Sequence, residues 1–286
     1  MVAASCSVSA TSTIQNGGDA TALASCTTFS GSIAIATGVP SDISIGVKEL
    51  DGDLVVQGNK DVLRLAGPNL EKINGKLTID DASQLATLDF PKLSEVESLT
   101  LKGLPNLRGL LFTKGISKCD HLRIENTKLQ DLNGINLEEV ADMFIANNNE
   151  IGNISMKVTN ISDFLTLSFN NPEVNVSFPD LQSANNISLR AIGSLDIPAL
   201  SKINKGDFGV FESDNLVILS APNLTKIDGA LVINNNEGLK NLTFAKLTDV
   251  GANLQIANNT NLHDLDGLPE LANVQAALDM SGNFSK

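Results

Sequence analysis

The sequence predicts an all-β chain coiled as a right-handed parallel β-helix of about twelve rungs, with a short N-terminal capping helix. Three observations lead there. A motif recurs from Ile33 to Met280, and a fixed period of about 20–50 residues is the signature of stacked repeats. The first segment of each copy alternates apolar and polar residues, which marks a strand with one buried face. The return segments are short, carry Pro and use Ile, Val and Thr freely. They resemble nothing that a leucine-rich-repeat horseshoe would fold as a helix, so the β-helix is favoured over that alternative.

The rungs can be counted from their first inward residue. These are Ile33, Leu54, Leu77, Leu99, Leu122, Met143, Leu165, Ile187, Phe208, Leu231, Leu254 and Leu278. Successive starts are 21 to 24 residues apart, and two positions after each start stands another apolar residue. No Pro/Gly/Ser-rich linker breaks the register, so residues 31–286 are expected to form one continuous solenoid behind a cap at 1–30.

In chain order, the cap comes first. A solenoid end exposes core and strand edges and needs covering. Asp19 is expected to cap a helix over DATALASC, with Ala22, Leu23 and Cys26 on one side. Cys6 and Cys26 enclose a length of chain suited to a disulfide staple in an oxidising compartment; two thiols is the other reading. Cys119 falls about four rungs from Cys26, beyond the ~7 Å that a disulfide spans. It is expected to remain a half-buried free thiol.

After the leading strand comes a polar turn. Asn59, Asn148, Asn170, Asn236, Asn259 and Asn283 all lie five residues after a start. Asn tolerates left-handed backbone at tight corners, and its amide can also bond to the equivalent amide one rung away. A second apolar piece follows, as in Leu85, Leu88 and Phe90, then a Pro corner, as in Pro91 with Leu93 and Val96. Pro68, Pro179, Pro198, Pro222 and Pro269 recur at that corner, where fixed φ helps and no ladder donor is lost.

Composition narrows the function. The net charge of −13 disfavours a nucleic-acid partner. With no Trp and no Tyr, an aromatic sugar platform is weakened. His121 and His263 are far apart in the repeat, and no paired CxxC or HExxH motif is present. No metal and no cofactor is therefore expected, and the acidic turns Asp51–Asp53 and Asp80–Asp81 read as solvated corners. A β-helix polysaccharide-active enzyme needs carboxylates converging on one groove. The outward row of the leading strands, from Ala34, Val55 and Thr78 to Thr166, Ser188 and Gly209, is mostly small and neutral. Such a row suits docking rather than catalysis.

Eight N-x-Ser/Thr sequons stand at Asn153, Asn160, Asn175, Asn186, Asn223, Asn241, Asn258 and Asn283. Asn153, Asn175 and Asn241 each lie ten residues after a rung start, so they are expected on one ridge. All eight are in the second half, which leaves the first half as the expected bare face. The N-terminus MVAASCSVSA has neither a charged region nor an apolar core of a leader. A cytosolic protein and a secreted one without its leader both fit; the cysteines and sequons favour the second.

The block CTTFSGSIAIA after a short helix, with GDLVV, APNLTKIDGALVINNN and the turns ANNNEI and ANNTNL, resembles the fungal GPI-anchored cell-wall-organisation proteins, the sporulation-specific-protein-2-like family. Their repeats are similar to the leucine-rich L domains of the insulin and epidermal growth factor receptors. The resemblance covers nearly the whole chain. It implies a secreted, N-glycosylated protein at the plasma membrane or in the wall, supporting wall integrity without catalysis. The Ser-rich stalk and hydrophobic tail of a GPI signal are not in the sequence, so the anchor is implied by the resemblance alone. The expected role is a non-enzymatic scaffold or binding module facing wall polysaccharide or surface protein, with a polysaccharide-active enzyme and a receptor-like ligand binder as alternatives.

Overall fold

The computed structural model describes residues 6–39 and 41–284. Contacts divide the chain into two compact units, Met1–Leu137 and Glu138–Lys286. Each is built almost wholly of short parallel strands, five rungs in the first and seven in the second.

In the first unit the predicted starts pair in register: Ile33 with Leu54, Leu54 with Leu77, Leu77 with Leu99, and Leu99 with Leu122. A second face is formed by Ser41–Ser44, Val62–Ala66, Thr87–Asp89 and Leu110–Leu111, also parallel. In the longer rungs Lys72–Asp80 and Glu95–Leu104 a third strand runs on into the leading one. The interior is a column of like on like. Leu54, Leu77, Leu99 and Leu122 are all fully buried, and so are Leu65 and Leu88 on the second face. Phe90 and Phe112 meet edge to face at 6.1 Å, the geometry that ring quadrupoles favour.

The cap differs from its expected form. Before the helix runs a strand, β1 (Ser7–Ile14), that pairs in parallel with β2 (Thr28–Ile35) and places Ile14 beside Ile35. Only Ile14 of β1 is buried. A strand with so few apolar residues gives little periodic signal, which is why the sequence hid it. The helix α1 (Gly17–Ala22) is capped by Asn16, not Asp19. The Asn16 side chain accepts from the Gly18 and Asp19 amides, at 2.8 and 3.2 Å. Asp19 stands in the first turn and reaches back to the Gln15 amide at 2.8 Å, in the manner of a capping box. One 3₁₀ turn, Leu23–Ser25, follows. Ala20 and Leu23 are buried with Cys26, whereas Ala22 is exposed; the tighter 3₁₀ turn re-phases the inward face. Cys6 and Cys26 are joined by a disulfide with Cα atoms 5.5 Å apart.

In the second unit the register again follows the predicted starts. Met143 pairs with Leu165, Leu165 with Ile187, Ile187 with Phe208, Phe208 with Leu231, Leu231 with Leu254, and Leu254 with Leu278. The second face comprises Asn153–Ser155, Asn175–Ser177 and Ser194–Asp196, and then Ile218–Ser220 with Asn241–Thr243. Leu278 and Met280, inward in register, are 58% and 36% exposed because no rung lies beyond them among the described residues.

Two turns shape the return. At the Pro corner the residue three past the turn start donates back to it: Leu70 to Gly67, Leu93 to Phe90, Leu181 to Phe178 and Leu224 to Ala221. Pro68, Pro91, Pro179 and Pro222 thus sit second in these β-turns, where their fixed φ matches what the turn requires. At the other corner the expected division of labour is corrected. The left-handed residue lies four past the start, not five: Asp81, Asn126, Asn147, Phe169, Ala191, Glu212, Asn235 and Asn258 have φ between 48° and 59°. Gly58 and Gly103 fill the same place. The fifth position turns inward instead. Asn59, Asn148, Asn170, Asn236 and Asn259 are buried, and Asn283 alone of the set is exposed.

Four of those buried amides bond to the equivalent amide one rung away, in two pairs, whereas Asn59 bonds to the Ala36 carbonyl and to the Asp61 and Val62 amides. The Asn148 amide group donates to Asn170 Oδ1 at 3.0 Å, and that of Asn236 to Asn259 Oδ1 at 3.1 Å. Ser213 takes the same place in its rung, and its backbone N–H donates to Asn236 Oδ1 at 3.0 Å. No buried side-chain nitrogen or oxygen among the described residues lacks a partner. Cys119 is buried rather than half-buried, with Sγ 3.2 Å from the His121 carbonyl oxygen.

Candidate functional site

The surface carries two ordered features: the outward row of the leading strands, and the sequons. In the first unit Ala34, Val55, Thr78 and Thr100 stand side by side on successive strands. Period-two alternation puts them outside because their neighbours are inside. Arg123 continues that row beside Thr100, and its guanidinium is taken by Glu125 on the same strand at 2.6 Å. In the second unit the row runs Phe144, Thr166, Ser188, Gly209, Val232, Gln255 and Asp279. Its one carboxylate, Asp279, accepts from Gln255 at 3.0 Å. Gly209 is buried, because the Phe211 ring occupies the space a Cβ would need.

Some charged side chains pair across rungs, as Lys48 does with Glu71 and Lys102 with Asp80. In the first unit Glu95 is held between Lys118 at 3.2 Å and Lys72 at 3.4 Å. The hydrogen bond from Lys118, and then that from Lys72, keeps its carboxyl below the ordinary glutamate range. In the second unit the Lys226 hydrogen bond lowers the Asp228 carboxyl, and the Lys205 backbone N–H adds to this. Asp249 is lowered by the Thr248 hydroxyl and by Asn273. All three shifts come from hydrogen-bonded partners of the charged form, lysines first for Glu95 and Asp228 and neutral groups for Asp249. Among the described residues no group of three or more His, Cys, Asp or Glu is arranged to hold a metal.

Sequence reasoning missed one cluster. Arg190 lies over the rings of Phe169 and Phe211, with its guanidinium carbon 5.6 and 5.2 Å from their centroids, and it also pairs with Glu212. These residues are separated by about one repeat and converge only because the rungs stack. Reading columns down the aligned repeats, at three and four past the start, would have exposed it. Beside it a cavity of about 370 Å³ is lined by Glu212, Asp214, Asn235, Glu237, Asn258 and Thr260.

All eight sequon asparagines lie in the second unit, and each is exposed or half-buried. The structure places Asn153 directly beside Asn175 on the second face, followed by Ser194. Asn241 lies on the corresponding strand two rungs on, beside Ile218. Their side-chain engagement differs. The Asn223, Asn258 and Asn283 amide nitrogens donate to Pro198 O, Asn234 Oδ1 and Thr260 O. Asn160, Asn175 and Asn186 accept through Oδ1 from Ser183, Ser194 and the Asp207 amide. The amides of Asn153 and Asn241 make no side-chain hydrogen bond among the described residues.

No family model matches the chain, and no solved structure matches it. Curated relatives do. The cell surface GPI-anchored protein of Arthroderma benhamiae is 38% identical over 95% of this chain and 70% of its own length. Protein ecm33 of Aspergillus fumigatus is 34% identical over 96% of the chain and 74% of its own length. Sporulation-specific protein 2 of Saccharomyces cerevisiae is 31% identical over 96% of the chain and 55% of its own length. Identity of this order over nearly the whole chain shows that the chain belongs to the family of fungal cell-surface GPI-anchored and cell-wall proteins.

Proposed function

We propose that this chain is a non-enzymatic, N-glycosylated scaffold of the fungal wall, held at the outer face of the plasma membrane by a GPI anchor and contacting wall polysaccharide or another wall protein. The observation that carries the reading is the outward row of the leading strands. Thr78 and Thr100 in the first unit, and Thr166 and Ser188 in the second, are small neutral neighbours one strand apart, about 4.8 Å. A row of this kind offers hydroxyls and close approach to an extended polymer. It offers no pair of facing carboxylates with which to cleave one. The family names support the location, since the relatives are called cell-surface and cell-wall proteins. The Cys6–Cys26 disulfide fits an oxidising compartment.

The test is to incubate the glycosylated protein with insoluble wall glucan, chitin and purified mannoprotein. Co-sedimentation with one of them, weakened by Thr78→Glu or Thr166→Glu and without release of reducing sugar, is the expected outcome. Release of reducing sugar from any of these materials would overturn the non-enzymatic reading.

A further inference from the structure

The second face of the second unit is polar along most of its length. Asn153, Asn175 and Ser194 form one row, and Ser155, Ser177 and Asp196 form the next. The exception is the pair Val217 and Ile218, which are 45% and 54% exposed. Isolated apolar residues on a surface need no explanation, but Ile218 at the start of its strand and Val217 immediately before it form an adjacent β-branched pair beside a polar sheet, and such a pair calls for a cover. Ile218 is the register partner of Asn241, and the Val217 carbonyl accepts from the Lys240 and Asn241 backbone amides at 2.9 and 3.2 Å. Asn241 opens the sequon Asn241-Leu242-Thr243. Its side chain is exposed and makes no hydrogen bond among the described residues.

We infer that the N-linked glycan at Asn241 is the cover of Val217 and Ile218, an intramolecular lid rather than a solvated ornament. This rests on the glycosylated reading above. The oligosaccharide is transferred from a lipid-linked diphosphate donor. The anomeric C–O bond to diphosphate breaks, a C–N bond to Asn241 Nδ2 forms, and that nitrogen gives up one proton. The first sugar then starts one strand away from Ile218, about 4.8 Å. Its acetamido methyl and the apolar face of its ring lie within reach of both side chains. Asn153 supplies the contrast. Its amide is equally unengaged and it lies on the same face, but its register partner is the polar Asn175. A glycan there has no apolar pair beside it.

The experiment uses the full chain secreted from a glycosylating host, with site occupancy read by glycopeptide mass spectrometry. Asn241→Gln and Thr243→Ala, both of which remove the sequon, are expected to lower Tm by about 2–4 °C and to raise binding of a hydrophobic dye. Asn153→Gln is expected to change neither. Adding Val217→Thr and Ile218→Thr to Asn241→Gln should return dye binding to the parent level. An unoccupied Asn241 would overturn the proposal by removing the glycan on which it rests. An occupied Asn241 whose loss leaves Tm and dye binding unchanged, or whose loss is matched by Asn153→Gln, would overturn the lid while leaving glycosylation intact.

Discussion

The carboxamide of Asn236 serves three backbone or side-chain partners from a fully buried position. Its Nδ2 donates to the Val210 carbonyl and to Asn259 Oδ1, both at 3.1 Å, and its Oδ1 accepts from the Ser213 amide at 3.0 Å. A stacked fold leaves backbone groups stranded wherever a corner turns them away from the sheet ladder, and an unpaired buried polar group costs about 1–3 kcal/mol. The inward Asn answers that cost in the rungs that carry it, at Asn59, Asn148, Asn170, Asn236 and Asn259. Asn236→Ala should therefore destabilise the protein by about 2–4 kcal/mol, since it leaves more than one group unpaired and opens a small void. Asn283→Ala, at the same repeat position but exposed, should change stability by less than about 0.5 kcal/mol. Urea unfolding of the two variants makes the comparison. Equal effects would mean that burial of the amide, rather than its residue type, had been misjudged.

At the scale of the element, the corner that carries this Asn also carries a residue in left-handed backbone. The two roles fall on adjacent positions, and the sequence had assigned both to one. The reason is physical. Asn is a good residue for either role, so Asn147-Asn148, Asn235-Asn236 and Asn258-Asn259 give no sign of which does which. Only rungs that break the pairing separate them. Ala191, with φ 55°, and Gly58, with φ 65°, hold the left-handed place. In the Gly58 rung the next residue, Asn59, is buried; in the Ala191 rung it is Ile192. A Cβ at Gly58 would meet only a Thr37 methyl at 4.0 Å, so its cost is conformational alone. Gly58→Ala should lose about 1 kcal/mol, being the left-handed penalty on an L side chain less the smaller entropy of the unfolded chain. Ala191→Gly, the reverse change at the same corner, should gain about 0.5 kcal/mol. Denaturant midpoints moving in opposite directions is the expected result; movement in the same direction would show that packing, not φ, governs the corner.

At the scale of the molecule, the stacked register was legible because it is written many times. Each start from Ile33 to Leu122, and each from Met143 to Leu278, pairs with the next as the period requires. What occurs once was not legible. β1 has no second copy and one buried residue, and the Arg190 cluster needs stacking before its members meet. This difference also governs stability. In a solenoid each rung touches its neighbours, so a local loss propagates by nearest-neighbour coupling and fades with distance. The Cys6–Cys26 link closes a loop of 20 residues at the first rung, and a loop of that length is worth about 3 kcal/mol in the chain-entropy account. Its effect should be concentrated where β1 lies on β2. Replacing both cysteines with Ala should raise amide exchange most in β1, α1 and β2, less in Leu54–Gln57, and hardly at all in Glu95–Leu104. A two-state solenoid unit would instead lose protection evenly across these strands, so the exchange gradient reads directly whether the cap stabilises the whole first unit or only the rung it covers.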